Sequence, residues 1–332
     1  MRRFGRHRLA VGLVSLAAVT FAGLLGPAVP TASAEAHAQS HALHQDATDD
    51  LFMAWRGAGT DTQIWWSVFD GTNWSSQQPV PGANTELSPA LFHIDGRHVL
   101  MAWRGVGSDS HIWWSIFDET GSGWSPPLQL ADRATDAAPA LDEDAAGTIV
   151  MAWRGAGTDS HIWWSEFDGV ASWSAQQVLA DRRTDAAPTL STTPQGIMFM
   201  AWRGVGSDNH IWWSQFDNDT FWLSQSELAD RRTDTAPALG DFGLMDMAWR
   251  GAGTDNRIWW GVFDSGWRPQ QVLADRRTDA GPALGQHAGN QIMAWRGAGS
   301  DNRIWWSQTA NGDWSPQQVL ADRRTEAAPA LG

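Results

Sequence analysis

Apolar and polar positions change over in short bursts rather than with a helical period. From Ile149 the chain reads I-V-M-A-W-R-G, then A-G-T-D-S, then H-I-W-W-S-E-F. Short runs of β-branched and aromatic residues broken by Gly, Asp, Asn and Pro predict strands. No stretch carries a long 3.6-residue period with caps, so helices are not expected. The pattern also recurs. MAWRG starts at Met53, Met101, Met151, Met200, Met247 and Met293. Each copy continues into I-W-W, usually F-D, another Trp and usually Q-Q-V-L, and ends in a threonine-acid pair before A-P-A-L. One copy predicts four strands, for example Ala138–Leu141, Ile149–Gly155, His161–Phe167 and Trp173–Leu179. Four short antiparallel strands every 46 to 50 residues is the period of a propeller blade. The predicted fold is therefore all-β, a six-bladed β-propeller of four-stranded antiparallel blades. The repeats fall near 41–87, 88–137, 138–186, 187–235, 236–280 and 281–327.

The ends bear on ring closure. Ser40-His41-Ala42-Leu43 stands at the first-strand interval before Met53, and Ala328-Pro329-Ala330-Leu331 is a seventh first strand. Six blades need only six. The C-terminal segment matches the other copies better, so residues 328–332 are the expected closing strand, and closure limits exposed edges.

The four connections differ among the copies. Those after the first and third strands vary. The turn after the second strand is G-[AV]-G-[TS]-D in all six copies. From the second copy on, the segment leading into the next blade is Ala-Asp-Arg-[Arg/Ala]-Thr-[Asp/Glu], whereas the first reads Pro81-Gly82-Ala83-Asn84-Thr85-Glu86. In a meandering blade the two near-invariant connections emerge on one face of the disc. A site built on the crossover arginines would then exist in five crossovers at most.

Composition adds the setting. Arg2, Arg3, Arg6 and Arg8 precede an apolar run at 9–28, and Ala32-Ser33-Ala34 is a cleavage pattern. Residues 1–34 read as a signal peptide, 35–40 as a short N-terminal segment and 41–332 as the propeller, exported and without membrane insertion after cleavage. All 23 basic residues are Arg, and 19 of them follow residue 34 with all 37 carboxylates, giving 19 − 37 = −18 formal charges there. That charge argues against nucleic acid as a partner. With no Cys, disulfides, thiolate metal sites and cysteine catalysis are excluded.

All 24 tryptophans belong to the repeat, four per copy. Both faces of a blade are covered by its neighbours, so most Trp should be inter-blade core. Trp55, beside Arg56, and Trp74 are the candidates for a ring left at a groove mouth. Arg and Asp can brace blade against blade through bidentate pairs, or the same groups can serve sugar hydroxyls. Asp of the hairpin turn can also close its own turn. His111, His161 and His210 share one strand position on three blades and do not converge as metal ligands. Asp142, Glu143 and Asp144 read as a surface acidic loop. No unique paired carboxylates, G-x-S-x-G, P-loop or H-E-x-x-H stands out. The chain lacks the tyrosine that a sialidase nucleophile would require. No cofactor, metal or catalytic residue is expected.

The repeat W-R-G-x-G-[ST]-D-x-x-I-W-W-S-x-F-D-G-x-x-W-S-x-Q-Q resembles the blades of bacterial and fungal β-propeller lectins, the tectonin-like and fucose-binding kinds, over residues 41–332. Relatives often carry Tyr where this chain reads I-W-W, and often have seven or five blades. The resemblance implies a sugar held between blades by a Trp face, an arginine and a carboxylate. That role would fall to Arg56, Arg104, Arg154, Arg203, Arg250 and Arg296, partnered by Asp61, Asp109, Asp159, Asp208, Asp255 and Asp301. Arg182, Arg231, Arg276 and Arg323 of the crossovers join the candidates. The expected protein is a secreted, non-catalytic, multivalent binder of glycans or glycoconjugates. A protein-binding scaffold and a glycoside hydrolase-like propeller are the alternatives.

Overall fold

The computed structural model describes residues 50–332 apart from 122, 218–220 and 311. The expected signal peptide, the segment 35–40 and the spare strand Ser40–Leu43 lie outside the described residues. The rest forms six antiparallel sheets in a six-bladed β-propeller, each four strands wide, with the outer position in blades 2, 4 and 6 split into a two-residue piece and a main strand. Blade 3 shows the plan, with strands Ala140–Glu143, Ile149–Arg154, His161–Phe167 and Gln177–Arg183 from the axis outwards.

Side-chain alternation builds the core between blades. Trp153 lies opposite Trp163 and Ala152 opposite Trp164. Trp153 packs with Leu100 and Trp114 of blade 2. Trp164 packs with Phe216 and Trp222 of blade 4. The second-strand tryptophans Trp55, Trp103, Trp153, Trp202, Trp249 and Trp295 are all 2% exposed or less. Each buries about 150–250 Å², which at about 25 cal/mol per Å² is about 4–6 kcal/mol of transfer free energy.

The C-terminal strand, the end expected from its match to the other copies, closes the ring. Ala330 and Leu331 pair with Ala54 and Met53. The amide of Phe52 donates to the Gly332 carbonyl at 2.9 Å, and that of Gly332 donates back to Phe52 at 3.1 Å. Leu91, Leu141, Leu190, Leu239, Leu284 and Leu331 line both openings of the axial channel. One opening is a ring of Pro and Ala. The other is acidic, and there the expectation of a surface acidic loop fails. Glu143 and Asp144 are each 3% exposed. Asp142 lies in the channel mouth, and burial raises its carboxyl to about 8. The innermost strand ends with Asp142 and Glu143 at the channel mouth, while Asp144 closes the turn that follows by accepting from the Ala146 and Thr148 amides.

The outer strand also differs from expectation. Trp173 makes only an isolated bridge, to Phe167, and the strand proper runs over Gln177–Arg183. Its register jumps: Ile162 faces Leu179, but His161 faces Arg183. Ala180, Asp181 and Arg182 form a bulge. The A-D-R-R segment is therefore bulged strand, and only the residues from Thr184 on cross to the next blade. Its polar, charged composition is what made it read as a loop.

Candidate functional site

Gly59 has φ of +61°, a left-handed conformation suited to glycine. A Cβ on Gly57 would lie 2.2 Å from Asp61 Oδ2. The G-x-G spacing thus lets the Asp fold back over its own turn. Its Oδ1 accepts from the Gln63 amide at 3.0 Å, and its Oδ2 from the Trp65 indole at 2.9 Å. The other five turns repeat the indole bond, from Trp113 to Asp109 (2.8 Å), Trp163 to Asp159 (2.8 Å), Trp212 to Asp208 (2.8 Å), Trp259 to Asp255 (2.9 Å) and Trp305 to Asp301 (2.9 Å). His111, His161 and His210 also lie on these carboxylates, at 2.7, 2.7 and 2.8 Å. In blades 5 and 6 an arginine replaces the histidine. Side-chain hydrogen bonds from Arg257 and Arg303 hold Asp255 and Asp301 down at about 2.

The arginine of each W-R-G also turns inward on its own hairpin. Arg56 donates to the Gly59 carbonyl at 2.8 Å. Arg154 donates to the carbonyls of Thr184, Gly155 and Gly157 and lies 3.5 Å from Asp136. Arg104, Arg203, Arg250 and Arg296 likewise donate to hairpin carbonyls and approach the crossover acids Glu86, Asp185, Asp234 and Asp279 at 3.2–3.7 Å. The same acids tie blades together: Asp136 accepts from the Gly157 amide at 2.5 Å, and Glu326 from that of Gly59 at 3.1 Å across the closure. Each of these arginines and aspartates is thus engaged by its own turn. Trp55, 1% exposed, presents no face to solvent.

The crossover-motif arginines behave differently. Arg182, Arg231, Arg276 and Arg323 are 1–4% exposed, and so is Arg133, at 3%. Each guanidinium is clasped by two tryptophans of the following blade. Arg182 lies 5.9 Å from the Trp202 ring and 6.0 Å from Trp222. Arg231 lies 5.4 Å from Trp249 and 4.9 Å from Trp267. Arg276 sits between Trp295 and Trp314, Arg323 between Trp55 and Trp74, and Arg133 between Trp153 and Trp173. Each donates to the carbonyl of the residue after the second tryptophan, as Arg276 does to Ser315 at 2.7 Å. Burial lowers these guanidinium pKa values, with the preceding Asp opposing. Each Nε, and the indole N–H of the outer tryptophan, is buried without a hydrogen-bond partner.

Clefts open over two of these arginines, Arg182 and Arg133. One of about 350 Å³ is lined by Trp164, Gln177, Asp181 and Arg182 of blade 3 and Trp222 and Ser224 of blade 4. Another of about 390 Å³ is lined by Trp114, Leu128, Asp132 and Arg133 with Trp173 and Ala175. Asp181 is 61% exposed, its carboxylate 3.8 Å from Arg182. An arginine, a carboxylate and a tryptophan therefore do meet between blades, in Arg182, one of the sequence candidates, with Asp181 and Trp222, whereas Arg56 and Asp61 are held within their own hairpin turn. Sequence reasoning missed Arg133 and the Asp before each buried arginine. The available signal was internal: where Ala83 replaces the arginine, Gly82 replaces this Asp.

No protein-family model matches the chain, and no curated protein sequence does. Solved structures do. AofleA from Arthrobotrys oligospora aligns with a TM-score of 0.59 at 9% identity, over 87% of this chain and 90% of that one. The BP39L lectin from Burkholderia pseudomallei aligns with a TM-score of 0.54 at 13% identity, over 83% and 96%. A lectin from Aleuria aurantia, described as a six-bladed β-propeller with a novel fucose recognition mode, gives 0.55 at 13% identity, over 83% and 96%. At such identities the likeness is one of fold.

Proposed function

We propose that this is a secreted, non-catalytic, multivalent carbohydrate-binding propeller whose sites are the clefts between successive blades. The observation that carries the reading is the repeated set of buried arginine, exposed aspartate and tryptophan. It recurs at five of the six blade boundaries, with Arg133, Arg182, Arg231, Arg276 and Arg323. The carboxylate accepts from sugar hydroxyls, the indole edge and guanidinium region supply donors, and the aromatic wall takes the apolar face of the ring. Clefts of this volume suit small ligands. Equivalent sites on one rigid disc gain by avidity on a glycan surface. Export rests on the basic, apolar and A-x-A segments at residues 1–34. The lectin neighbours support the ligand class, and fucosides are the first sugars to try because the Aleuria lectin recognises fucose.

A glycan array, followed by competition with free monosaccharides, tests this. Binding that a monosaccharide displaces is the expected result. No binding to any glycan overturns the proposal, and binding to protein alone, indifferent to sugar, identifies a scaffold instead.

A further inference from the structure

The second arginine of the A-D-R-R motif has no part in the clefts. Arg183, Arg232, Arg277 and Arg324 stand at equivalent places on blades 3, 4, 5 and 6, and all four are exposed. Each is oriented by an uncharged side chain at the start of the neighbouring third strand. Nη1 donates to Ser160 Oγ at 3.4 Å, Asn209 Oδ1 at 3.0 Å, Asn256 Oδ1 at 3.1 Å and Asn302 Oδ1 at 3.3 Å, respectively. Among the described residues no carboxylate lies within ion-pair distance of any of the four. The acids beside them in sequence are turned elsewhere. Asp181 approaches the buried Arg182, while Asp185 accepts from the Gly206 amide and approaches Arg203 of the next blade. Blades 1 and 2 interrupt the series with Asn84 and Ala134.

This is an unusual use of charge. From Glu35 on, carboxylates outnumber arginines by 37 to 19, so an arginine is easily paired on this surface. Four in register have instead been left with neutral partners. A guanidinium held by Nη1 keeps Nε and Nη2 as a two-pronged edge, the geometry that takes a carboxylate or sulfate through two parallel bonds. Four such edges on consecutive blades form an arc over two thirds of the ring, set at the angular repeat of the propeller.

We propose that this arc binds an anionic glycan, a polysaccharide bearing sulfate or uronate groups, laid across blades 3 to 6. The site is separate from the inter-blade clefts and does not rest on their being sugar sites. A polymer meets several arginines at once, so weak single contacts add through effective concentration.

The test uses the full mature chain with dextran sulfate, polygalacturonate, neutral dextran and single-stranded DNA as probes at low salt. Retention on one or both charged polysaccharides, released by salt and absent on neutral dextran, is expected, and the polymer retained shows which acid group is read. The combined variant Arg183→Gln, Arg232→Gln, Arg277→Gln and Arg324→Gln should weaken that binding roughly 10- to 100-fold, four exposed ion pairs' worth, with an unchanged thermal midpoint. Asn84→Arg with Ala134→Arg should strengthen it by extending the arc. The proposal fails if the wild-type chain binds neither polymer, if the fourfold variant binds as well as wild type, or if DNA binds equally well. A failure of neutral sugars to bind would count against the clefts and leave the arc untouched.

Discussion

The boundary between blades 1 and 2 and the boundary between blades 4 and 5 join the same elements with opposite chemistry. At the second, Arg231 lies between Trp249 and Trp267, and Gln270 donates to the Asp230 carbonyl at 2.7 Å. At the first, Ala83 occupies the place of the arginine, Gly82 that of the Asp and Pro127 that of the Gln. Val80 and Ala83 are fully buried there, and Pro127 lies at contact distance, 3.7 Å, from where a Cβ on Gly82 would stand. Aromatic packing continues, with Trp66 and Trp124 edge to face at 6.0 Å, but among the described residues no cation lies between Trp103 and Trp124. The ring can therefore seal a boundary with apolar groups alone. A buried guanidinium costs desolvation that an apolar group does not, and its cation–π contacts return about 0.5–2 kcal/mol each. Sealing a boundary therefore does not in itself require an arginine, and the five present carry a desolvation cost that the apolar boundary avoids.

The apolar boundary is the one that a charge should disrupt most. Ala83→Arg places a cation at a fully buried position where no aspartate or glutamine accompanies it. A loss of about 3–5 kcal/mol is expected, the cost of an uncompensated buried charge, measured by chemical denaturation. A loss under about 1 kcal/mol would show that the two boundaries are interchangeable. From the polar side, Gln270→Ala removes one inter-blade hydrogen bond and should cost about 1 kcal/mol. The smallest expected change in stability is the most telling. Arg231→Met gives up the cation–π contacts and the hydrogen bond to the Arg268 carbonyl but also the desolvation cost of a buried guanidinium, so the melting temperature should change little while less sugar binds per chain. A large loss of stability with sugar stoichiometry unchanged would make Arg231 a brace.

Much of this was legible in the chain. The period of MAWRG gave blade number, strand order and the C-terminal clasp, because a repeat that buries its faces on its neighbours must keep the same residues at the same depth. The identity of the site was harder to read. Arg56 and Asp61 look like partners in the sequence, yet Asp61 is taken by the Trp65 indole and Arg56 by the Gly59 carbonyl, bonds that depend on a left-handed Gly59 and on the space at Gly57. Arg182 looks like loop and proves to be strand, because a bulge turns it inward between tryptophans that follow it by 20 and 40 residues. The placement of Asp142 in the channel mouth depends on where the first strand ends around the axis, which local pattern does not encode.

The most direct test is a crystal of the protein soaked with the monosaccharide that best competes in solution. The account predicts density in the clefts, against Trp222 beside Arg182 and Asp181 and at the equivalent boundaries, with none between blades 1 and 2. Sugar seated instead on the hairpin turns, against Arg56 and Asp61, or bound equally at the boundary of Ala83, would contradict it.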